Sequence, residues 1–267
     1  GNFWSVGGKW RLTGEEFLKD NRTITNTMLR VSYGTVGNQD IDWYAARGYY
    51  AANHNYNSVA GIAPEQIPNP ELTWETSKKF DVGFDLSFVN RYHLSVDFYN
   101  ENTSDALYET PLSRSTGFKT LIKNIAAIRN QGVEVALNGT LVRNKDLNWT
   151  AYVNMTYNQN KVVELANHQA IKGNYTIIEE GRPYRQFWMK EYAGVDRETG
   201  KPLWYLKEEG NETTSDYSKA AKRYVGSADP KVYGGFGTSL TWKGFDASLA
   251  FNYRMGSKVF DFGASFT

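Results

Sequence analysis

From residue 74 to residue 99 the chain alternates apolar and polar side chains almost one for one. Trp74, Thr76, Lys78, Phe80, Val82, Phe84, Leu86 and Phe88 hold the even positions; Glu75, Ser77, Lys79, Asp81, Gly83, Asp85 and Ser87 hold the odd ones. After a turn expected at Asn90-Arg91, Tyr92, Leu94, Val96 and Phe98 oppose His93, Ser95, Asp97 and Tyr99. Successive side chains of a strand point to opposite faces, so this is an antiparallel hairpin with one apolar and one charged face. Two architectures use such a hairpin. A soluble sandwich covers the apolar face with a second sheet, whereas a transmembrane barrel turns it to lipid and the polar face to a lumen.

The rest of the chain separates them. Strands are expected over 3–12, around Leu29, Val31 and Tyr33, over 133–141 and 147–157, and on both sides of a turn at Lys243-Gly244. Thr13 to Lys19 suits a short helical turn. The longer apolar sets match the roughly 9–11 residues that carry a tilted strand across a bilayer. Connections alternate as well: short at 90–91, 144–146 and 243–244, long at 37–72, 109–128 and 165–231. The long stretches read as irregular, apart from a small hairpin from Ala193-Gly194-Val195-Asp196 through Thr199-Gly200 into Leu203-Trp204-Tyr205. Short turns on one rim and long loops on the other mark an outer-membrane barrel; Greek-key sandwiches mix the two ends. Phe88 with Tyr92, Trp149, and Trp242 with Phe245 gather at the short-turn rim, where an interfacial girdle belongs. The fold expected is all-β, an antiparallel transmembrane β-barrel. About eight or nine strands lie within 1–267, one partial barrel domain with extracellular loops near 37–72, 109–128 and 165–231.

Composition removes other classes. There is no cysteine, so disulfides, thiol nucleophiles and Cys-ligated zinc are out. A net charge of +1 gives no reason to expect nucleic acid. No run approaches about 18 apolar residues, so no transmembrane helix is expected.

Several stretches resemble the SusC/RagA-like branch of TonB-dependent outer-membrane transporters. Residues 29–38, LRVSYGTVGN, look like its L-R-x-S-Y-G-x-x-G-N strand end, and residues 69–76, NPELTWET, like its N-P-x-L-x-W-E-T segment. Asp97-Phe98-Tyr99-Asn100, Ser115-Thr116-Gly117-Phe118, Arg129-Asn130-Gln131-Gly132-Val133-Glu134 and Tyr157-Asn158-Gln159-Asn160-Lys161-Val162 follow in the family's order, as do Gly234-Gly235-Phe236 with Lys243-Gly244-Phe245-Asp246. Ala126-Ala127 departs from it where a glycine is expected. The resemblance implies a large plugged barrel of roughly 22 strands, in the outer membrane of a Gram-negative, Bacteroidetes-type bacterium, importing glycans or peptides. Outer-membrane lipid, a SusD-like surface lipoprotein and the TonB complex would be its partners. These residues show no plug domain and no TonB-contacting segment, so the chain reads as a middle or later part of such a barrel.

No catalytic residue is expected: His54, His93 and His168 match no metal spacing, no G-x-S-x-G occurs, and no cofactor or metal is called for. The lumen-facing set is Glu75, Lys79, Asp81, Asp85, Asp97 and Glu134. These side chains either meet a plug or a passing substrate or, more plainly, form a polar wall with local cross-strand pairing to Lys79 and its neighbours. Loop aromatics are the candidates for binding substrate or partner: Trp43, Tyr44, Tyr49, Tyr50 and Tyr56 in the first long loop, and Tyr184, Phe187, Trp188, Trp204 and Tyr205 in the third. Flat aromatic faces stack on sugar rings and suit protein interfaces; the plainer reading packs them within their own loops. The other function class left open is a secreted soluble β-protein that binds polysaccharide through these aromatics. A structural or adhesive barrel is a third.

Overall fold

A computed structural model describes residues 2–38, 41, 44–56, 58–261 and 263. Its frame is one eight-stranded antiparallel sheet. In chain order the frame strands are β1 (Ser5–Arg11) and β2 (Ile24–Asn38), then, after an excursion, β5 (Glu75–Phe88), β6 (Tyr92–Pro111), β7 (Thr120–Arg143) and β8 (Leu147–Leu165). After a second excursion come β16 (Val232–Trp242) and β17 (Phe245–Met255). Each frame strand pairs with the next in that order.

The alternation read from the sequence becomes two faces because the register is nearly unbroken. Phe84 lies between Leu29 of β2 and Val96 of β6, and Asp85 between Met28 and Ser95. A bulge near Leu141 brings Val142, rather than Leu141, opposite Trp149. The apolar face is not covered by protein. Leu29, Phe80, Phe98, Val153, Phe236, Leu249 and Phe251 are all exposed, and an apolar surface of that extent marks contact with a membrane or a partner.

Connections on one rim are short. Asn144 closes the β7–β8 turn by accepting from the backbone N–H groups of Asp146 and Leu147. Lys243 and Gly244, both with positive φ (47° and 89°), make the β16–β17 turn, the twist a two-residue hairpin prefers. The β5–β6 turn sits one residue earlier than expected: Val89 and Asn90 carry the positive φ, and the Arg91 N–H donates to the Phe88 carbonyl. Between β1 and β2 the expected helical turn is a 3-10 turn, Leu12–Gly14, followed by a turn closed onto the Glu15 carbonyl. Phe88 and Tyr92 stack at 4.9 Å on this rim, and Trp149 donates its indole N–H to Thr238.

The other rim departs from the expectation of irregular loops. Between β2 and β5 lies a hairpin, β3 (Tyr49–Tyr56) and β4 (Val59–Gln66). The stretch 109–128 is mostly strand: β6 and β7 run 20 and 24 residues and leave only residues 112–119 between them. Between β8 and β16 the chain builds β9 (Ile171–Lys172), β10 (Thr176–Ile178), β11 (Gln186–Lys190), β12 (Tyr192–Val195), β13 (Pro202–Tyr205), β14 (Thr213–Thr214) and β15 (Lys222–Ser227). These form a sheet β15-β11-β10-β9 and a smaller one, β12-β13-β14. The expected small hairpin is β12–β13. The buried apolar cluster lies here, where Ala106, Ala126, Val162 and Leu165 of the long strands meet Ile178.

Candidate functional site

The polar face of the frame sheet centres on Arg30, at mid-strand in β2. Its Nε donates to Asp85 at 2.8 Å and its Nη2 to Asp97 at 2.8 Å. Ser95 donates to both carboxylates, at 2.9 and 3.0 Å. Gly83 separates Arg30 from Asp97 in the register. A methyl group there would strike Asp97 Oδ1 and Arg30 Nη2, so the missing side chain gives the guanidinium its path. Arg30, absent from the sequence candidates, is therefore the hub that joins two of them.

Of the remaining polar-face candidates, Lys79, Asp81 and Glu75 have separate partners. Lys79 pairs with Glu101 at 3.2 Å, a carboxylate outside the expected set. Asp81 accepts from Ser32 at 3.3 Å. Glu75 caps the upper end of the sheet, accepting from the Leu107 backbone N–H and from Asn38, each at 2.8 Å. Glu134 stands beside Asp97 in the register.

The loop aromatics fall into two groups. Trp43 lies outside the described residues, and Tyr56 ends β3. Tyr44, Tyr49 and Tyr50 are exposed, with the Arg47 guanidinium 5.8 Å from the Tyr44 ring. In the third connection Trp188, Trp204 and Tyr205 have partners within the loop. Trp188 lies near the ammonium groups of Lys172 and Lys222, at 5.3 and 4.6 Å. Trp204 packs edge-on against Tyr217 at 5.2 Å, and Arg223 covers Tyr205 at 4.0 Å. Tyr184 packs edge-on against Tyr108; burial raises the pKa of both phenols. The Tyr224 phenol donates to Glu179 at 2.6 Å, which raises its pKa, and Arg182 stacks on its ring at 3.4 Å. Phe187 is half-buried in β11.

Sequence reasoning also missed an amide-lined cavity of about 520 Å³ where upper β8 faces β15 and residues 229–231. Asn158, Asn160, Gln186, Ser227 and Asp229 line it. Its size suits a small ligand. Tyr99 donates to Asn158 at 2.8 Å, and Asn160 accepts from the Tyr184 backbone N–H at 2.7 Å. The signal in sequence is the Asn158-Gln159-Asn160 run, but its cavity partners lie far along the chain. Among the described residues no three His, Asp or Glu side chains converge as metal ligands.

Residues 1–266 match the family model described as TonB dependent receptor-like, beta-barrel. A TonB-dependent receptor of Formosa agariphila is 31% identical over 95% of the chain and 28% of its own length. The TonB-dependent receptor SusC of Bacteroides thetaiotaomicron is 26% identical over 97% of the chain and 28% of its own length. Among solved structures, the RagAB peptide transporter matches with a TM-score of 0.87 and 32% identity, covering 95% of this chain and 29% of that one. The RagAB peptide importer in its closed-closed state matches with a TM-score of 0.86 at 32% identity, over 96% of this chain and 29% of that one. The chain thus spans under a third of the length of these relatives. It belongs to the outer-membrane β-barrel family of TonB-dependent receptors, in the SusC/RagA-like branch.

Proposed function

We propose that this chain is wall and outer loops of a TonB-dependent importer that takes glycans or peptides across the outer membrane by gated passage rather than bond chemistry. The observation that carries the reading is the match to the RagAB peptide transporter across 95% of the chain. The polar face, with Arg30, Asp81, Asp85, Asp97 and Glu134, lines the lumen and meets a plug contributed by other parts of the protein. The rim of long connections faces the cell exterior. There the free faces of Tyr44, Tyr49 and Tyr50 are placed to meet a SusD-like surface lipoprotein or the substrate. The engaged rings of Trp188, Trp204 and Tyr205 instead stiffen the third loop around the amide-lined cavity. Its donors and acceptors suit sugar hydroxyls as well as peptide amides. TonB supplies energy through segments outside these residues.

Uptake of labelled oligopeptides and oligosaccharides by cells lacking the gene tests this. The expected outcome is selective loss of one substrate class, reproduced when TonB is inactivated. Unchanged uptake of both would contradict it.

A further inference from the structure

The ladder from β5 to β8 sets side chains in rows across the sheet. One row runs Lys78, Asn102, Arg129, Lys161, each the cross-strand neighbour of the next. No register shift separates this row from Phe80, Phe98, Val133 and Tyr157 below it. The three cations therefore share the apolar face. On β5 the row is ten residues above Phe88. That is about 33 Å along the strand and about 25 Å along the membrane normal once the strand is tilted. A lipid-facing band is about 25 Å tall, so the row stands at its edge.

Two cations of the polar face have carboxylate partners. On the polar face Arg30 is neutralised by Asp85 and Asp97, and Lys79 by Glu101. The outward row contains no carboxylate. Lys78 and Lys161 are exposed, Arg129 donates only to the neutral Asn102 amide at 2.7 Å, and none of the three forms an ion pair among the described residues. Like charges on neighbouring strands repel, and a single row, Phe80, Asn100, Gln131 and Gln159, lies between these cations and the apolar row Val82, Phe98, Val133 and Tyr157.

We infer that Lys78, Arg129 and Lys161 bind the phosphate groups of anionic lipid in the outer leaflet. Arg129 presents a planar fork that matches phosphate, and the lysines act as point charges on either side. Neighbouring strands lie about 4.8 Å apart, so Arg129 and Lys161 can share one phosphate while Lys78 serves a second. The inference rests on the proposal that the long-connection rim faces the cell exterior.

Native mass spectrometry of the full-length protein with diphosphorylated lipid A, its dephosphorylated counterpart, or added inorganic phosphate tests it. Three proteins are compared: the unaltered one, a Lys78→Ala/Arg129→Ala/Lys161→Ala variant, and an Arg91→Ala/Lys145→Ala/Lys243→Ala variant of the short-turn rim. Heat-modifiable gel mobility verifies that each is assembled, and Lys78→Arg/Lys161→Arg should keep the lipid. The expected result is about five-fold weaker binding of phosphorylated lipid per cation removed, roughly 100-fold for the first triple variant, and little change in the second. Equal binding by the first triple variant, equal binding of the dephosphorylated lipid, or displacement of the lipid by inorganic phosphate would overturn the inference. Loss confined to the short-turn variant would overturn it together with the proposed orientation, leaving the import proposal to its own uptake test.

Discussion

Arg30 reaches across Gly83 from β2 to carboxylates on β5 and β6, so one side chain ties three strands in register. Removing it leaves two neighbouring aspartates without their cation. Arg30→Ala should lower the stability of the assembled barrel by about 2 kcal/mol, a value for charged hydrogen bonds that are only partly buried. Adding Asp85→Asn and Asp97→Asn should recover most of it, and urea unfolding followed by gel mobility measures both. No recovery would show that Arg30 acts through packing instead. The bonds from Arg30 and Ser95 tie Asp85 to a particular partner set rather than leaving it one of several equivalent wall charges. The pairing was not legible because the partners lie 55 and 67 residues apart in sequence, and only a settled register brings them together. The polar parity of all three residues was legible, since alternation alone fixes it.

At the scale of elements, turns and strand ends set the outcome. Val89 is a β-branched residue at φ 47°, a conformation that costs an L-residue roughly 1–2 kcal/mol. Asn tolerates it better. Val89→Asn should therefore raise stability by about 1 kcal/mol in the same urea assay, and a loss would mean that Val89 has packing worth more than its strain. Near the end of β8, Glu180 accepts from the Leu165 backbone N–H at 2.8 Å and meets His168 Nδ1 at 2.9 Å. The Leu165 N–H, then His168, hold the Glu180 carboxyl below its usual range, and the bond to Glu180 raises His168. The His168 contribution is complete below its ordinary value of 6.5 and fades as pH rises through the raised value. The Glu180 contribution is present above its ordinary value of 4.5 and is lost as pH falls through the lowered one. Amide exchange at Leu165, corrected for intrinsic rate, should thus be slower at mildly acidic than at alkaline pH, and His168→Gln should abolish the difference. A pH response that survives His168→Gln would place its source elsewhere. Strand interiors were readable where one face meets lipid, as over 80–88. From the upper edge of that band onward both faces carry polar side chains, so Asn100, Glu101, Asn102 and Thr103 show no alternation although the ladder continues through them. That is why 109–128 reads as a loop and proves to be strand.

For the molecule as a whole, the frame is an open sheet whose outer strands are β1 and β17. Open edges are not tolerated in lipid. The relatives are more than three times as long as this chain, long enough to supply the strands that close a barrel. The order of short and long connections was legible in the sequence because membrane crossing forces it. The sheets built inside the third connection were not, since their strands are short and held by local contacts such as Arg182 on Tyr224. In the proposed importer one face of this sheet meets lipid and the other an aqueous lumen. These residues contain no cysteine, so single substitutions Phe80→Cys through Phe88→Cys can be introduced one at a time into the full-length protein freed of any other thiol. Labelling in intact outer membranes with a small water-soluble maleimide then reads the face directly. The expected result is a period of two, with label at positions 81, 85 and 87 and none at 80, 82, 84, 86 and 88, Gly83 being left out because a side chain there strikes Asp97 and Arg30. Uniform labelling, or the opposite phase, would contradict it.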